Sequence, residues 1–300
     1  MKGERTMPGD GAPYRRLPPW FQVRIAAGGT FNRVTGTLRD RQLHTVCESA
    51  ACPNRGECWS SGTATFLILG DRCTRNCGFC NVRTGTPSLP ERDEPERVAD
   101  AVAALGLSYA VVTSVTRDDL PDGGAGAFAE TVLAIRRRVP ACRIEILVPD
   151  FLGSAPSLDR VLDARPDVLN HNLETVPSRY PAVRRGAEYG RSLALLERAK
   201  ARGAVTKSGL MLGLGERRDE VTAVMRDLRQ RGCDILTVGQ YLRPRKDRLR
   251  VERYYHPDEF RSVRNEGLAM GFRQVLAGPQ VRSSYHAGDL TGPSAGSSSS

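Results

Sequence analysis

Thr65-Phe-Leu-Ile-Leu69-Gly-Asp-Arg-Cys73-Thr-Arg-Asn-Cys77-Gly-Phe-Cys80 joins an apolar, β-like run directly to a loop with three cysteines. The run Thr65–Leu69, closed by Gly70, has the length and composition of a strand buried on both faces. The loop behind it is C-x3-C-x2-C. Three thiolates converging within eight residues can ligate three irons of a four-iron, four-sulfur cluster. Most such clusters take four Cys ligands, so three leave one iron open to an external molecule. A zinc site with a fourth ligand from elsewhere is the alternative. The spacing is unlike the paired C-x2-C knuckles of zinc ribbons.

Outward from this stretch the chain repeats one pattern, an apolar run followed by a helical one. Further strands are expected at Ala110–Thr113, Ile144–Val148, Asp167–Asn170, Ser208–Leu212 and Asp234–Val238. Helices are expected near Glu96–Leu105, Ala127–Val139, Ser157–Ala164, Ser192–Arg202, Asp219–Arg231 and Pro257–Met270. Val221, Val224, Met225 and Leu228 recur at helical spacing, and Gly106, Gly203, Gly232 and Gly271 stand where helices end. Six strand-then-helix units argue an α/β fold with a parallel sheet, barrel or open, and a short run at Phe272–Ala277 is placed to join its edge. In such folds chemistry sits on loops at the C-terminal ends of the strands, where the cysteine loop falls.

Composition narrows the rest. The 300 residues suit one large domain, with 40% hydrophobic and 26% charged residues as in soluble globular proteins. No apolar run approaches the ~18–20 residues of a transmembrane helix. The opening MKGERTMPGDGAPYRR has no apolar core of a secretory signal. A cytoplasmic, reducing setting is therefore expected, where a cysteine pattern means metal or catalysis more often than disulfides. The net charge of +10 is almost wholly guanidinium, because only Lys2, Lys200, Lys207 and Lys246 are lysines. The expected organisation is a flexible arm at 1–18, an N-terminal extension at 19–62, the βα domain at 63–278, a C-terminal segment at 279–290 and a disordered tail at 291–300.

The extension carries a second triplet, Cys47-Glu-Ser-Ala-Ala-Cys52-Pro-Asn-Arg-Gly-Glu-Cys58. Six thiolates exceed the four that one zinc or one cluster takes, which argues two three-Cys sites. Cys142 and Cys233 lie in or beside expected strands and read as inert core residues.

The first triplet, with Phe79 before its last Cys, resembles the signature of the radical S-adenosylmethionine superfamily. Gly209-Leu-Met-Leu-Gly213-Leu-Gly-Glu216 is similar to that superfamily's G-x-I-x-G-x-x-E. The two triplets in this order resemble the lipoyl synthase family. So do Thr113-Ser-Val-Thr-Arg117-Asp118-Asp119, Asn170-His171-Asn172-Leu-Glu174-Thr175, Gly239-Gln240-Tyr241-Leu242 and Arg282-Ser283-Ser284-Tyr285-His286-Ala287. The likeness runs from about Leu17 to Leu290. It implies a partial (β/α)6 barrel of the radical S-adenosylmethionine type with an N-terminal cluster-binding extension. It also implies a sulfurtransferase that inserts two sulfur atoms at carbons 6 and 8 of an octanoyl group on a carrier lysine.

By the same resemblance two 4Fe-4S clusters are expected. Cys73, Cys77 and Cys80 would hold the one that binds S-adenosylmethionine (SAM). Cys47, Cys52, Cys58 and a serine, Ser284 or else Ser283, would hold an auxiliary cluster that donates sulfur. Without the resemblance, those serines read as a turn or cap. Phe79, Thr113, Ser114, Asn172, Glu174, Arg184 and Gly213 are the expected SAM contacts. The implied partners are an octanoylated lipoyl carrier domain, a ferredoxin- or flavodoxin-type electron donor and an iron–sulfur carrier that rebuilds the auxiliary cluster; no nucleic acid or membrane is expected.

The chain departs from the family at Arg243-Pro-Arg245-Lys246-Asp247-Arg248-Leu249-Arg250-Val251, at Arg184-Arg185-Gly186 and at Gly78. The first segment is either a solvated charge run or a docking patch for acidic partners, and steering by such a patch weakens as salt shortens the Debye length. Other sulfur-inserting members of the superfamily fit less well. Biotin synthases lack the N-terminal triplet, and methylthiotransferases add an RNA-binding domain. A zinc-binding nucleic-acid module leaves six βα units unexplained, and aromatics are only 6% of the chain.

Overall fold

The computed structural model describes residues 17–21, 29–60, 64–285 and 287. Most of the expected arm, the expected tail and His286 of the C-terminal motif lie outside the described residues. In chain order the elements begin with α1 (Gly29–Asp40), β1 (His44–Thr45), α2 (Val46–Ser49), α3 (Arg55–Ser60) and β2 (Thr65–Ile68). Then come β3 (Arg72–Cys73), β4 (Arg83–Thr84), α4 (Glu94–Leu105), β5 (Tyr109–Ser114), α5 (Ala125–Arg138) and β6 (Arg143–Leu147). They continue as α6 (Ala155–Asp163), β7 (Val168–Asn170), α7 (Tyr180–Val183), α8 (Tyr189–Ala201) and β8 (Thr206–Leu212). The last are α9 (Arg218–Gln230), β9 (Ile235–Gln240), α10 (Pro257–Ala269) and β10 (Gln274–Gly278).

Every residue of β2 and of β9 is buried, as in strands covered on both faces. The helices bury one stripe each, which for α9 is Val221, Val224, Met225 and Leu228. The six expected strands and six expected helices all form, shifted by no more than a few residues at their ends.

The sheet runs β1-β2-β5-β6-β7-β8-β9-β10, with only β1 antiparallel, and it is open rather than a closed barrel. Segments that lie beyond its two edge strands are nonetheless joined. Asn54 Nδ2, just before α3, donates to the Gln280 carbonyl at 2.7 Å, and the Tyr285 hydroxyl donates to Glu57 Oε1 at 3.1 Å. The N-terminal extension is thus tied to the segment that follows the last strand. Because the main strands are parallel, their C-terminal ends share one side, and the extension covers it.

Inside the sheet lies a buried ion pair that sequence reading did not anticipate. Lys207 Nζ of β8 donates to both Glu145 oxygens of β6, at 2.9 and 3.0 Å, with side chains 0% and 1% exposed. The Tyr109 hydroxyl and Asn170 Nδ2 complete the carboxylate's shell. Fully satisfied charges of this kind fix strand register more than they add stability. Cys142 and Cys233 are also buried, away from the covered face. Among the described residues no helix is long and apolar enough to cross a membrane.

Candidate active site

The chain leaves β2 through Leu69, whose backbone is left-handed (φ 68°). Its N–H is held by the buried Glu94 carboxylate at 2.8 Å and its carbonyl by Arg117 at 3.3 Å. This turn aims the first cysteine loop across the strand ends. A two-rung parallel ladder pairs Arg72 with Arg83 and Cys73 with Thr84, closing the loop at its base. Thr74 staples it to the segment just past β5: its N–H and its hydroxyl both donate to the Thr116 carbonyl at 3.0 Å.

Arg75 locks the loop from within. It donates to both Asp118 oxygens at 2.7 and 2.8 Å and to Asp150 Oδ1 at 2.6 Å. Burial pushes the Asp150 carboxyl up, yet the hydrogen bonds and charge of Arg75 outweigh it and hold the group down at about 2. Gly78 sits where an added Cβ would lie 2.6 Å from the Ala182 carbonyl and 2.8 Å from Leu249 Cδ1. The absence of a side chain there is therefore a packing requirement. The Leu249 N–H binds the Gly78 carbonyl at 3.0 Å, and Arg248 reaches Asn76 Oδ1 at 2.6 Å. Part of the basic segment thus grips the cysteine loop and is no solvated run.

The second triplet is folded by short helices. Cys47 lies in α2, capped by Thr45, whose hydroxyl accepts the Glu48 N–H; Ala51 then turns left-handed (φ 50°) and Cys58 follows in α3. Asn81, next to Cys80, donates to the Ser49 carbonyl at 3.0 Å, so the two cysteine segments touch directly. All six cysteines, with Ser283 and Ser284, line one cavity of about 1490 Å³ at the strand ends. That exceeds the ~300–1,000 Å³ of a pocket for one small molecule.

The donor set fits iron–sulfur groups. All eight cysteines are free. Two backbone N–H groups, of Arg75 and Thr116, point at Cys73 Sγ at 3.4 and 3.3 Å, the kind of contact that tunes cluster thiolates. Burial pushes four of the thiols up, to about 11 at Cys77 and about 12 at Cys58 and Cys80, with Cys47 rising too. Such thiols ionise when a cation takes the thiolate. Among the described residues no three His, Cys, Asp or Glu side chains close round a single ion position.

Opposite the first triplet, β7 ends in Asn170 and the chain enters Asn172 and Glu174. Glu174 is left-handed (φ 65°) and bridged to β8, its N–H bound to the Gly209 carbonyl and its own carbonyl to the Met211 N–H. Asn172 Nδ2 donates to Glu174 Oε1 at 3.0 Å. Asn172 Oδ1 and the Ser114 hydroxyl are buried with no hydrogen-bond partner, as expected of groups built for a polar ligand. Burial pushes the Glu174 carboxyl up, against Arg184, whose charge favours its ionised form. Arg184 Nη1 is itself held by the Asn172 carbonyl at 2.8 Å, the Tyr180 hydroxyl and Ser192.

Phe79, Thr113, Ser114, Asn172, Glu174 and Arg184 all line the cavity with the cysteines. Gly213 does not. Its missing Cβ would collide with Gln240 Nε2 and the Arg253 carbonyl, and Glu216 accepts the N–H groups of Gly213 and Leu214 at 2.6 and 2.8 Å. That glycine motif therefore shapes the turn after β8. His171 is equally structural: its ring nitrogens bind the Val148 carbonyl and Ser192, and burial holds it down at about 4. Sequence reading missed Arg75 and Asp150, whose partners lie far along the chain.

Comparison with known proteins agrees with this geometry. A model of the radical SAM superfamily matches residues 67–228, and a model of the N-terminal domain of lipoyl synthase matches residues 4–52. The chain is 56% identical over 276 residues to the lipoyl synthase of Rubrobacter xylanophilus, covering 91% of this chain and 86% of that one. It is 55% identical to that of Thiobacillus denitrificans, covering 91% and 89%. Among solved structures, methylornithine synthase shares the fold at TM-score 0.52 and 13% identity, covering 82% of this chain and 70% of that one. Streptococcus suis SuiB bound to S-adenosylmethionine does so at TM-score 0.54 and 12% identity, covering 72% and 51%. A two-triplet cysteine site at the open end of a parallel sheet, with relatives this close along nine-tenths of its length, makes the chain a member of the lipoyl synthase family within the radical SAM superfamily.

Proposed function

We propose that the chain is a lipoyl synthase, inserting two sulfur atoms at carbons 6 and 8 of an octanoyl group amide-linked to a lysine of a lipoyl carrier protein. The observation that carries this is the single cavity lined by both cysteine triplets and by Ser283 and Ser284. When bound, SAM at the first cluster supplies hydrogen-abstracting radical chemistry and the second cluster supplies sulfur, work that belongs to the cofactors.

The chain's own task is to hold, orient and exclude water. Cys73, Cys77 and Cys80 hold the first cluster and leave one iron for SAM. Cys47, Cys52 and Cys58 hold the second, with Ser284 as fourth ligand and Ser283 beside it. A serine oxygen is a harder donor than a thiolate and would hold its iron less firmly than the cysteines hold theirs. Asn172 Oδ1, the Ser114 hydroxyl, Thr113 and the Glu174 carboxylate take the polar groups of SAM, and Arg184 steadies Glu174. Phe79 packs at the loop, and Gly213 keeps the turn after β8 close. Leu147, Val148, Leu210 and Met211 give the cavity apolar wall that an octanoyl chain needs.

Arg243, Arg245, Lys246 and Arg250 also line the cavity. This basic rim is read as the face that meets the carrier domain. A ferredoxin- or flavodoxin-type donor and an iron–sulfur carrier complete the partners, in a cytoplasmic setting. Iron and acid-labile sulfide counted after anaerobic purification test the reading. About eight of each per chain are expected, and zinc in place of iron sinks it.

A further inference from the structure

The segment after β10 is held with little freedom. Gly239, near the end of β9, has no room for a side chain, because its Cβ would stand 2.0 Å from the Val281 carbonyl. With the Asn54–Gln280 and Tyr285–Glu57 bonds, this fixes residues 280–285 between the strand ends and α3. Arg282 therefore projects from a rigid mount into the cavity, with Ser283 and Ser284 beside it.

Its guanidinium is poorly matched by protein groups. Its one hydrogen bond among the described residues goes to the neighbouring Val281 carbonyl at 2.7 Å, and no carboxylate among them lies within ion-pair distance. It is half-buried against the cavity, next to the serines that the second-cluster reading uses. Arg184, the corresponding cation on the side of Cys77, is by contrast satisfied by three acceptors. Withdrawing a cation part-way from water without an anion beside it is costly, and a fold retains one where an anion arrives later.

We propose that Arg282 is the counter-charge of the auxiliary cluster, a positioning residue that neutralises the anionic group held by Cys52 and its companions. A 4Fe-4S core with three thiolates and one serine oxygen carries a net charge of about −1 to −2, and burying it needs a nearby cation. The inference rests on the two-cluster reading above and adds to it the residue that makes the second cluster tolerable in a low-dielectric site.

The test compares the full chain with R282Q and R282K after anaerobic reconstitution. In R282Q about half the iron and sulfide is expected to be lost, leaving about four irons per chain. The electron paramagnetic resonance signal of the first cluster and the affinity for SAM should persist. R282K, which keeps the charge, should retain most of the second cluster. Metal-free R282Q should unfold in urea no earlier than the parent, because it removes an unpaired charge.

Full loading of R282Q overturns the proposal. So does equal loss in R282Q and R282K, which would mean shape rather than charge. Weakened SAM binding with both clusters intact overturns it too, by assigning the guanidinium to SAM. A parent chain with only one cluster would instead overturn the two-cluster reading itself.

Discussion

Replacing Asp150 by Asn removes the charge that pins the first cysteine loop while keeping the side chain's shape. Asp150 is 0% exposed and accepts from Arg75 at 2.6 Å and from Arg191 at 3.2 Å. Its carboxyl is held at about 2 instead of the ordinary 3.8, which corresponds to about 2 kcal/mol favouring the ionised, folded form. Arg75 would keep only Asp118, so a half-broken buried pair adds to the loss, and a total of about 2–4 kcal/mol is expected. Because the folded value is depressed, this contribution is complete above about pH 4 and disappears as pH falls through about 2. Urea unfolding of the metal-free, reduced D150N chain should show the full deficit at pH 7, with the gap to the parent closing between pH 4 and 2. Iron reconstituted into the D150N chain should also leave faster to a chelator. A deficit below about 0.5 kcal/mol at pH 7, or one that persists to pH 2, would refute the reasoning.

Gly78→Ala should lower stability by about 2 kcal/mol through overpacking against the Ala182 carbonyl and Leu249, and adding Leu249→Ala should restore only part, since the backbone clash remains. Thermal unfolding of the two variants checks the order. Glu174→Gln keeps an acceptor for Asn172 but removes the charge, so SAM affinity should fall about tenfold or more with iron content unchanged. Equilibrium dialysis showing equal affinity would remove Glu174 from the cofactor site. Raising salt from about 0.05 to about 0.5 M should reduce kcat/KM on an octanoylated carrier domain several-fold and leave carrier-free SAM cleavage unchanged. Salt-insensitive turnover would strip the basic rim of that role.

The βα repeat was legible because buried strands and amphipathic helices each write their period into the chain. Val221, Val224, Met225 and Leu228 mark one helix whatever surrounds it. The N-terminal pieces were not legible. Gly29–Asp40 is rich in Gly and Thr and is helical because Val34 and Leu38 are buried. The His44–Thr45 strand is two residues long and exists only through its pairing with β2. The cysteine triplets announced themselves by local spacing. Their supports did not, since Arg75 finds Asp150 75 positions away and Lys207 finds Glu145 62 positions away. Such pairs are set by which strand ends become neighbours, and no short pattern records that. Gly78 is the instructive departure: its lack of a side chain becomes intelligible only beside Ala182 and Leu249.

The most direct test of the whole account is an anaerobic reaction of the reconstituted chain with dithionite, SAM and an octanoylated lipoyl-domain peptide, read by mass. The account predicts a peptide that gains two sulfur atoms, with two molecules each of 5′-deoxyadenosine and methionine formed per product. SAM cleaved while the peptide mass stays unchanged would contradict it.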